Sequence, residues 1–134
     1  MAWVERVMKW LMLVAGLVTF TGVYALVAPR DALQHTFGES LDGPIAEILV
    51  RNWGALVALI GVMLIYGAFR TQVRALVLSV AAASKITYIT LVLTHGKAYL
   101  DEPVGASIAV DLVLAVLFIV YLVITRGHPV REKA

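Results

Sequence analysis

Four apolar stretches tile almost the whole chain, each close to the roughly 20 residues that an α-helix rising about 1.5 Å per residue needs to cross about 30 Å of hydrocarbon. We place them at about 8–28, 48–69, 74–96 and 104–125. The first stops at Pro29, which cannot continue a helical hydrogen-bond ladder and is followed by Arg30 and Asp31. The second lies between Arg51 and Arg70. The third spans Arg74 to Lys97 and is interrupted by Lys85. The fourth is interrupted by Asp111 and closed by Arg126 and Gly127. Backbone groups in hydrocarbon must be satisfied within the segment or in a closed barrel. A barrel needs alternating strands, whereas Ala55-Leu56-Val57-Ala58-Leu59-Ile60 is apolar on both parities. The expected fold is therefore all-α, an integral membrane four-helix bundle forming a single membrane domain over 1–134.

Composition excludes the soluble alternative. Of 134 residues, 61% are hydrophobic and 15% charged, where soluble domains average about half apolar and about a quarter charged. A buried core helix is the ordinary reading of one apolar run, but no soluble remainder exists to bury four. Arg6 and Lys9 ahead of an apolar run also fit a secretory signal, yet the run is long for one and lacks a small-x-small cleavage site at Ala28. The chain has 0 cysteines, which removes disulfides, thiol relays and thiolate metal sites.

Orientation follows from lysine and arginine in the short loops. Arg6, Lys9, Arg70, Arg74, Arg126, Arg131 and Lys133 fall on one side, and Arg30, Arg51 and Lys97 on the other, seven against three. This predicts a multi-pass protein of the cell (inner) membrane with both termini cytoplasmic. Asp31, Glu39, Asp42, Glu47, Asp101 and Glu102 gather on the outer side. The basic inner face accounts for the alkaline pI without a nucleic-acid partner, for which basic residues interleaved with exposed aromatics are missing. Trp3, Trp10, Trp53 and Tyr99 flank span ends, where amphipathic rings anchor at the headgroups. The outer connection from Pro29 to about Ala46 is long enough for a short cap. Pro44 near the next helix start would set Glu47 and Arg51 one turn apart.

Lys85 carries the strongest chemical signal. Insertion scales charge about 2.5–3.5 kcal/mol for a lysine at a span centre, and such residues normally face the bundle interior or a water cavity. The ordinary alternative is a stem that snorkels toward an interface. Asp111, at similar depth on the antiparallel fourth span, is the expected partner in an interhelical ion pair, either architectural or functional. Arg51 can join them; the cluster is then cationic unless Glu47 supplies the balance. Lys85, Tyr88, Val92 and His95 share one helical face, and Ser107 stands one turn above Asp111. The candidate ligand-binding set is Arg51, Lys85, Tyr88, Asp111, His95 and Ser107.

Ala15 and Thr19, Gly54 and Ala58, and Ala75, Ser79 and Ala83 recur at four-residue spacing, which permits close helix approach within the bundle or, less commonly, between copies. His35, His95 and His128 are too dispersed for a haem or metal centre, and no phosphate loop, dinucleotide fingerprint, zinc-protease helix or serine elbow occurs. We assign no cofactor, metal or catalytic residue.

Arg51-Asn52-Trp53-Gly54, the run Gly61-Val62-Met63-Leu64-Ile65-Tyr66-Gly67-Ala68-Phe69-Arg70, and Ser84-Lys85 together resemble the small DoxX-like and BphX-like four-helix membrane proteins. The resemblance implies that fold and a membrane setting, with some relatives linked to membrane oxidoreductase assemblies. It transfers no site residue. Three functions are expected to compete. The leading one is a membrane protein that binds, and in one version transports, a small amphipathic or anionic molecule at its outer polar cluster. The others are a non-catalytic accessory subunit of a membrane oxidoreductase complex and a proton-coupled exporter. The exporter reading is weakened because the first span holds no carboxylate. A homo-oligomer or a membrane enzyme is the protein partner these readings allow, in a lipid bilayer.

Overall fold

The computed structural model describes residues 2–125; what was expected of Arg126, Gly127, His128, Arg131 and Lys133 lies outside the described residues. The described residues form helices joined by short connections: α1 (Ala2–Phe20), α2 (Val23–Val27), α3 (Pro29–Phe37), α4 (Pro44–Phe69), α5 (Thr71–His95), a 3-10 turn at Lys97–Tyr99, and α6 (Pro103–Thr125). Four segments are long and apolar enough to cross a membrane: Ala2–Val27, Pro44–Phe69, Thr71–His95 and Pro103–Thr125. The protein is an all-α, multi-pass membrane bundle.

Local chemistry sets the boundaries. The first span is broken at Thr21 and Gly22, where the ladder tightens to i→i+3 bonds, Thr21 N–H to the Val18 carbonyl at 3.2 Å and Gly22 N–H to that of Thr19 at 3.0 Å. The Thr21 hydroxyl donates to the same Val18 carbonyl. Ala28 precedes a proline and leaves the helical region at φ −133°, so α2 ends there and Pro29 begins α3. Gly38 ends α3 in the left-handed region at φ +76°, a conformation glycine adopts without a Cβ penalty, and its N–H donates to the Gln34 carbonyl. Helix α4 starts at Pro44, as its position after Gly43 predicts. Only Arg70 separates α4 from α5. Arg74 therefore sits in the first turn of a helix instead of the loop expected for it.

Helices α1, α4, α5 and α6 form an antiparallel ring in which α1 packs on α4, α4 on α5 and α5 on α6, while α1 and α6 touch sparingly. The α1–α4 approach is the closest because its glycines stack. A Cβ on Gly61 would lie 2.6 Å from the Phe20 nitrogen and 2.7 Å from the Gly16 carbonyl oxygen, and one on Gly54 2.7 Å from the Gly22 oxygen. Ala15, Gly54 and Ala58 are buried as the small-residue pattern predicts, but Ala75, Ser79 and Ala83 lie on the exposed face of α5. Four-residue spacing marks a face without saying which neighbour it meets; the buried face of α5 is Leu78, Ala81, Ala82 and Lys85 instead.

The core is divided into a large cluster at one end and smaller ones at the other, among them Ile89, Val92, Val104 and Ile108 between α5 and α6. Met8, Met12, Leu64, Leu78 and Phe118 interlock at the Arg70 end. Toward the other end the α1–α4 and α5–α6 pairs part, and α3 lies over the gap with Ala32 and Leu33 buried beneath it. Phe37 at the end of α3 meets the Tyr99 ring edge-on at 5.6 Å, tying this cap to the α5–α6 connection. Large apolar side chains such as Leu17, Leu59, Leu76 and Val113 cover the outside, as lipid contact requires.

Candidate functional site

Between the two helix pairs, in the half capped by α3, lies a cavity of about 1010 Å³. Lys85 reaches it from the middle of α5 and Asp111 from α6, about 15 Å and 12 Å along their helices from His95 and Pro103 at 1.5 Å per residue. Their depths match. Lys85 Nζ donates to the Asp111 carboxylate at 2.8 Å, with the lysine side chain 10% and the aspartate 22% exposed. Ala81, one turn deeper, belongs both to the cavity wall and to the packed core.

The polar rim continues from this pair. Ser107 stands one turn above Asp111, and Ser84, Thr87 and Tyr88 flank Lys85. The Tyr88 ring lies nearly parallel to that of Trp53, with centroids 6.5 Å apart and planes at 26°. Thr19 and Tyr24 enter from the first span and His35 from α3. Of the candidate residues, Lys85, Tyr88, Asp111 and Ser107 thus line one space.

Arg51 and His95 do not line it. Arg51 donates through Nε and Nη2 to the Glu47 carboxylate at 3.1 and 2.9 Å, and through Nη1 to the Leu26 carbonyl. It closes a separate groove with Ala28, Pro29 and Arg30. The i,i+4 geometry presents Glu47 to Arg51 as expected, and the alternative left open by the charge count resolves to the neutral case. His95, the last residue of α5, is exposed at the helix end. Ten residues carry it about 15 Å along α5 from Lys85, to the end of the helix and past the cavity.

A second polar cluster escaped the sequence reading. Arg74, only 3% exposed, donates through Nε to the Gly67 carbonyl at 3.1 Å and through Nη2 to that of Ala68 at 2.8 Å. These are carbonyls that the end of α4 leaves without helical partners. Its Nη1 donates to Glu5 at 2.8 Å, and the same Glu5 oxygen accepts the Tyr121 hydroxyl at 2.7 Å. Elements α1, α4, α5 and α6 are thereby joined at one point. The available signal was Glu5 itself, the sole acidic residue among the described residues of an otherwise basic end.

The cavity's formal charge is set by Lys85 and Asp111, which cancel. Among the described residues every buried side-chain nitrogen and oxygen has a hydrogen-bond partner, and no group of three His, Asp or Glu side chains is placed to hold a metal ion. Chemically the arrangement offers a flat aromatic wall, a row of hydroxyls, and a paired ammonium and carboxylate that can donate to and accept from one polar head.

No curated protein and no solved structure matches the chain. One family model does match, over residues 7–88, from the first span to the Tyr88 of the cavity wall, more than half of the sequence. The chain belongs to the family described as a domain of unknown function, DUF4345.

Proposed function

We propose that the protein binds a small amphipathic molecule in this cavity, its polar head on the Lys85–Asp111 pair and its apolar body against Trp53, Tyr88 and Leu91. One observation carries the reading: the ion pair borders a space large enough for a small molecule, at the upper limit of the roughly 300–1,000 Å³ range of ligand sites, instead of being packed over. Because Glu47 takes up Arg51 and Asp111 takes up Lys85, the site favours an uncharged head over an anion. A thermal-shift screen of 4-alkylphenols against matched lipophilic carboxylic acids tests this. A ligand at 100 times its Kd stabilises by about 2.7 kcal/mol, a shift of several degrees. The phenols should produce it in wild type and lose it in Lys85→Met. Absence of any Lys85-dependent stabilisation would remove the proposal.

The charge split supports placing the Arg70 end, and both termini, on the cytoplasmic side of a cell membrane. Because the chain has no cysteine, Arg6→Cys and Asp42→Cys can be labelled singly with a membrane-impermeant maleimide. Only the second should react in intact cells.

The exposed Ala75, Ser79 and Ala83 face of α5 favours a second reading, contact with a membrane partner as an accessory subunit, in line with the DoxX-like and BphX-like resemblance. Native purification should then yield a stoichiometric partner that Ser79→Leu releases.

A further inference from the structure

The cavity is not closed by its own helices. Helical periodicity of about 100° per residue turns Leu91 about 120° and Thr87 about 160° away from Lys85 around α5, and Leu56 about 160° away from Gly54, which meets Gly22 and α2 of the first span. All three nevertheless line the cavity. Leu56 and Leu91 are 52% and 53% exposed. Residues on the outer faces of two neighbouring helices can border one space only where the helices stand apart, so the cavity runs through the α4–α5 seam to the surface that faces lipid. The stacked Trp53 and Tyr88 rings come one from each side of that seam and bridge it. Above it, the α3 cap is joined to the α5–α6 connection.

We propose that the site is loaded sideways from the bilayer through the α4–α5 seam, across the Trp53–Tyr88 threshold, by a membrane-dissolved molecule whose uncharged, hydrogen-bonding head reaches Lys85 and Asp111 while its alkyl tail stays in the seam. This rests on the binding reading above and adds its route and ligand class. A charged head would lose several kcal/mol crossing hydrocarbon, which the neutral pair inside does not restore. A tail lying between Leu56 and Leu91 meets only apolar side chains and lipid.

Two measurements test it, neither hindered by native cysteine. The first needs no ligand. A nitroxide on Ser84→Cys, or on Leu91→Cys should the first variant fold poorly, is read by EPR in proteoliposomes for collisions with oxygen and with a neutral nickel chelate. A lateral opening gives oxygen collisions severalfold above those of the chelate. The reverse ratio means a water-filled cavity opening past α3 and overturns the route. The second compares 4-butylphenol with 4-dodecylphenol at equal mole fraction in lipid. The tail outside the site makes their Lys85-dependent stabilisation agree within about twofold in apparent affinity. Loss of the dodecyl compound overturns the proposal. Stabilisation by neither phenol beside an oxygen-rich nitroxide signal removes the binding reading and the ligand drawn from it. Stabilisation by butylphenol beside a nickel-rich signal removes only the lateral route.

Discussion

Lys85 Nζ and the Asp111 carboxylate lie 2.8 Å apart, one projecting from the middle of α5 and the other from α6, and among the described residues they are the only Lys, Arg, Asp or Glu side chains in the wall of the cavity. Each makes the other tolerable in a low-dielectric bundle, since a lone ammonium or carboxylate there would lack any solvent to stabilise it.

Breaking the pair should cost more than removing it. Lys85→Met or Asp111→Leu alone leaves a buried charge and is expected to destabilise by roughly 3 kcal/mol, whereas the double variant recovers most of that loss. Reversible unfolding in mixed micelles gives the numbers; single variants as stable as wild type would show that the two groups do not depend on each other.

Arg74 closes the opposite end of the bundle, so its loss should be the most damaging polar change. Arg74→Met strips the Gly67 and Ala68 carbonyls and Glu5 of a partner at once, for an expected cost of roughly 3–5 kcal/mol. Tyr121→Phe removes a single bond to a charged group, roughly 1.5 kcal/mol. Equal losses for both in the same unfolding assay would contradict the geometry.

The α1–α4 contact leaves no room for a methyl group. Gly61→Ala puts a Cβ against the backbone of Phe20 and Gly16, neither of which can swing aside, and should destabilise by roughly 1–3 kcal/mol despite the better helix propensity of alanine. Ala75→Leu on the exposed face of α5 should be close to neutral in the isolated protein. A stable Gly61→Ala bundle would mean that the helices are not in backbone contact.

The cap carries a pH-dependent latch. Tyr99 donates to Glu39 at 2.9 Å, and this bond, followed by the negative charge of the carboxylate, raises the phenol above its ordinary pKa near 10. A raised folded-state value means that the latch contributes fully below the unfolded pKa and is lost as pH climbs through the folded one. Carbon-13 NMR of labelled tyrosine should show Tyr99 titrating later than an exposed tyrosine, and Glu39→Gln should bring it earlier. An unchanged Tyr99 midpoint in that variant would place the latch elsewhere.

The sequence by itself determined the number of spans, their helical state and the depth of the two intramembrane charges, because apolar length and the cost of a charge in hydrocarbon are local properties that no packing can overrule. Lys85 and Asp111 were legible as partners for that reason, and Glu47 with Arg51 because four residues on a helix are always neighbours. Only the tertiary structure decided which faces meet. Ala75, Ser79 and Ala83 repeat as regularly as Gly54 and Ala58, yet one set faces outward and the other is buried, Gly54 against Gly22 and α2, since periodicity defines a stripe but not its partner. Arg74 reads as a loop charge until a one-residue turn places it inside a helix beside Glu5, which is 69 positions away in the chain. The cavity is bordered by residues from all six helices, a relation among whole elements that no segment encodes alone.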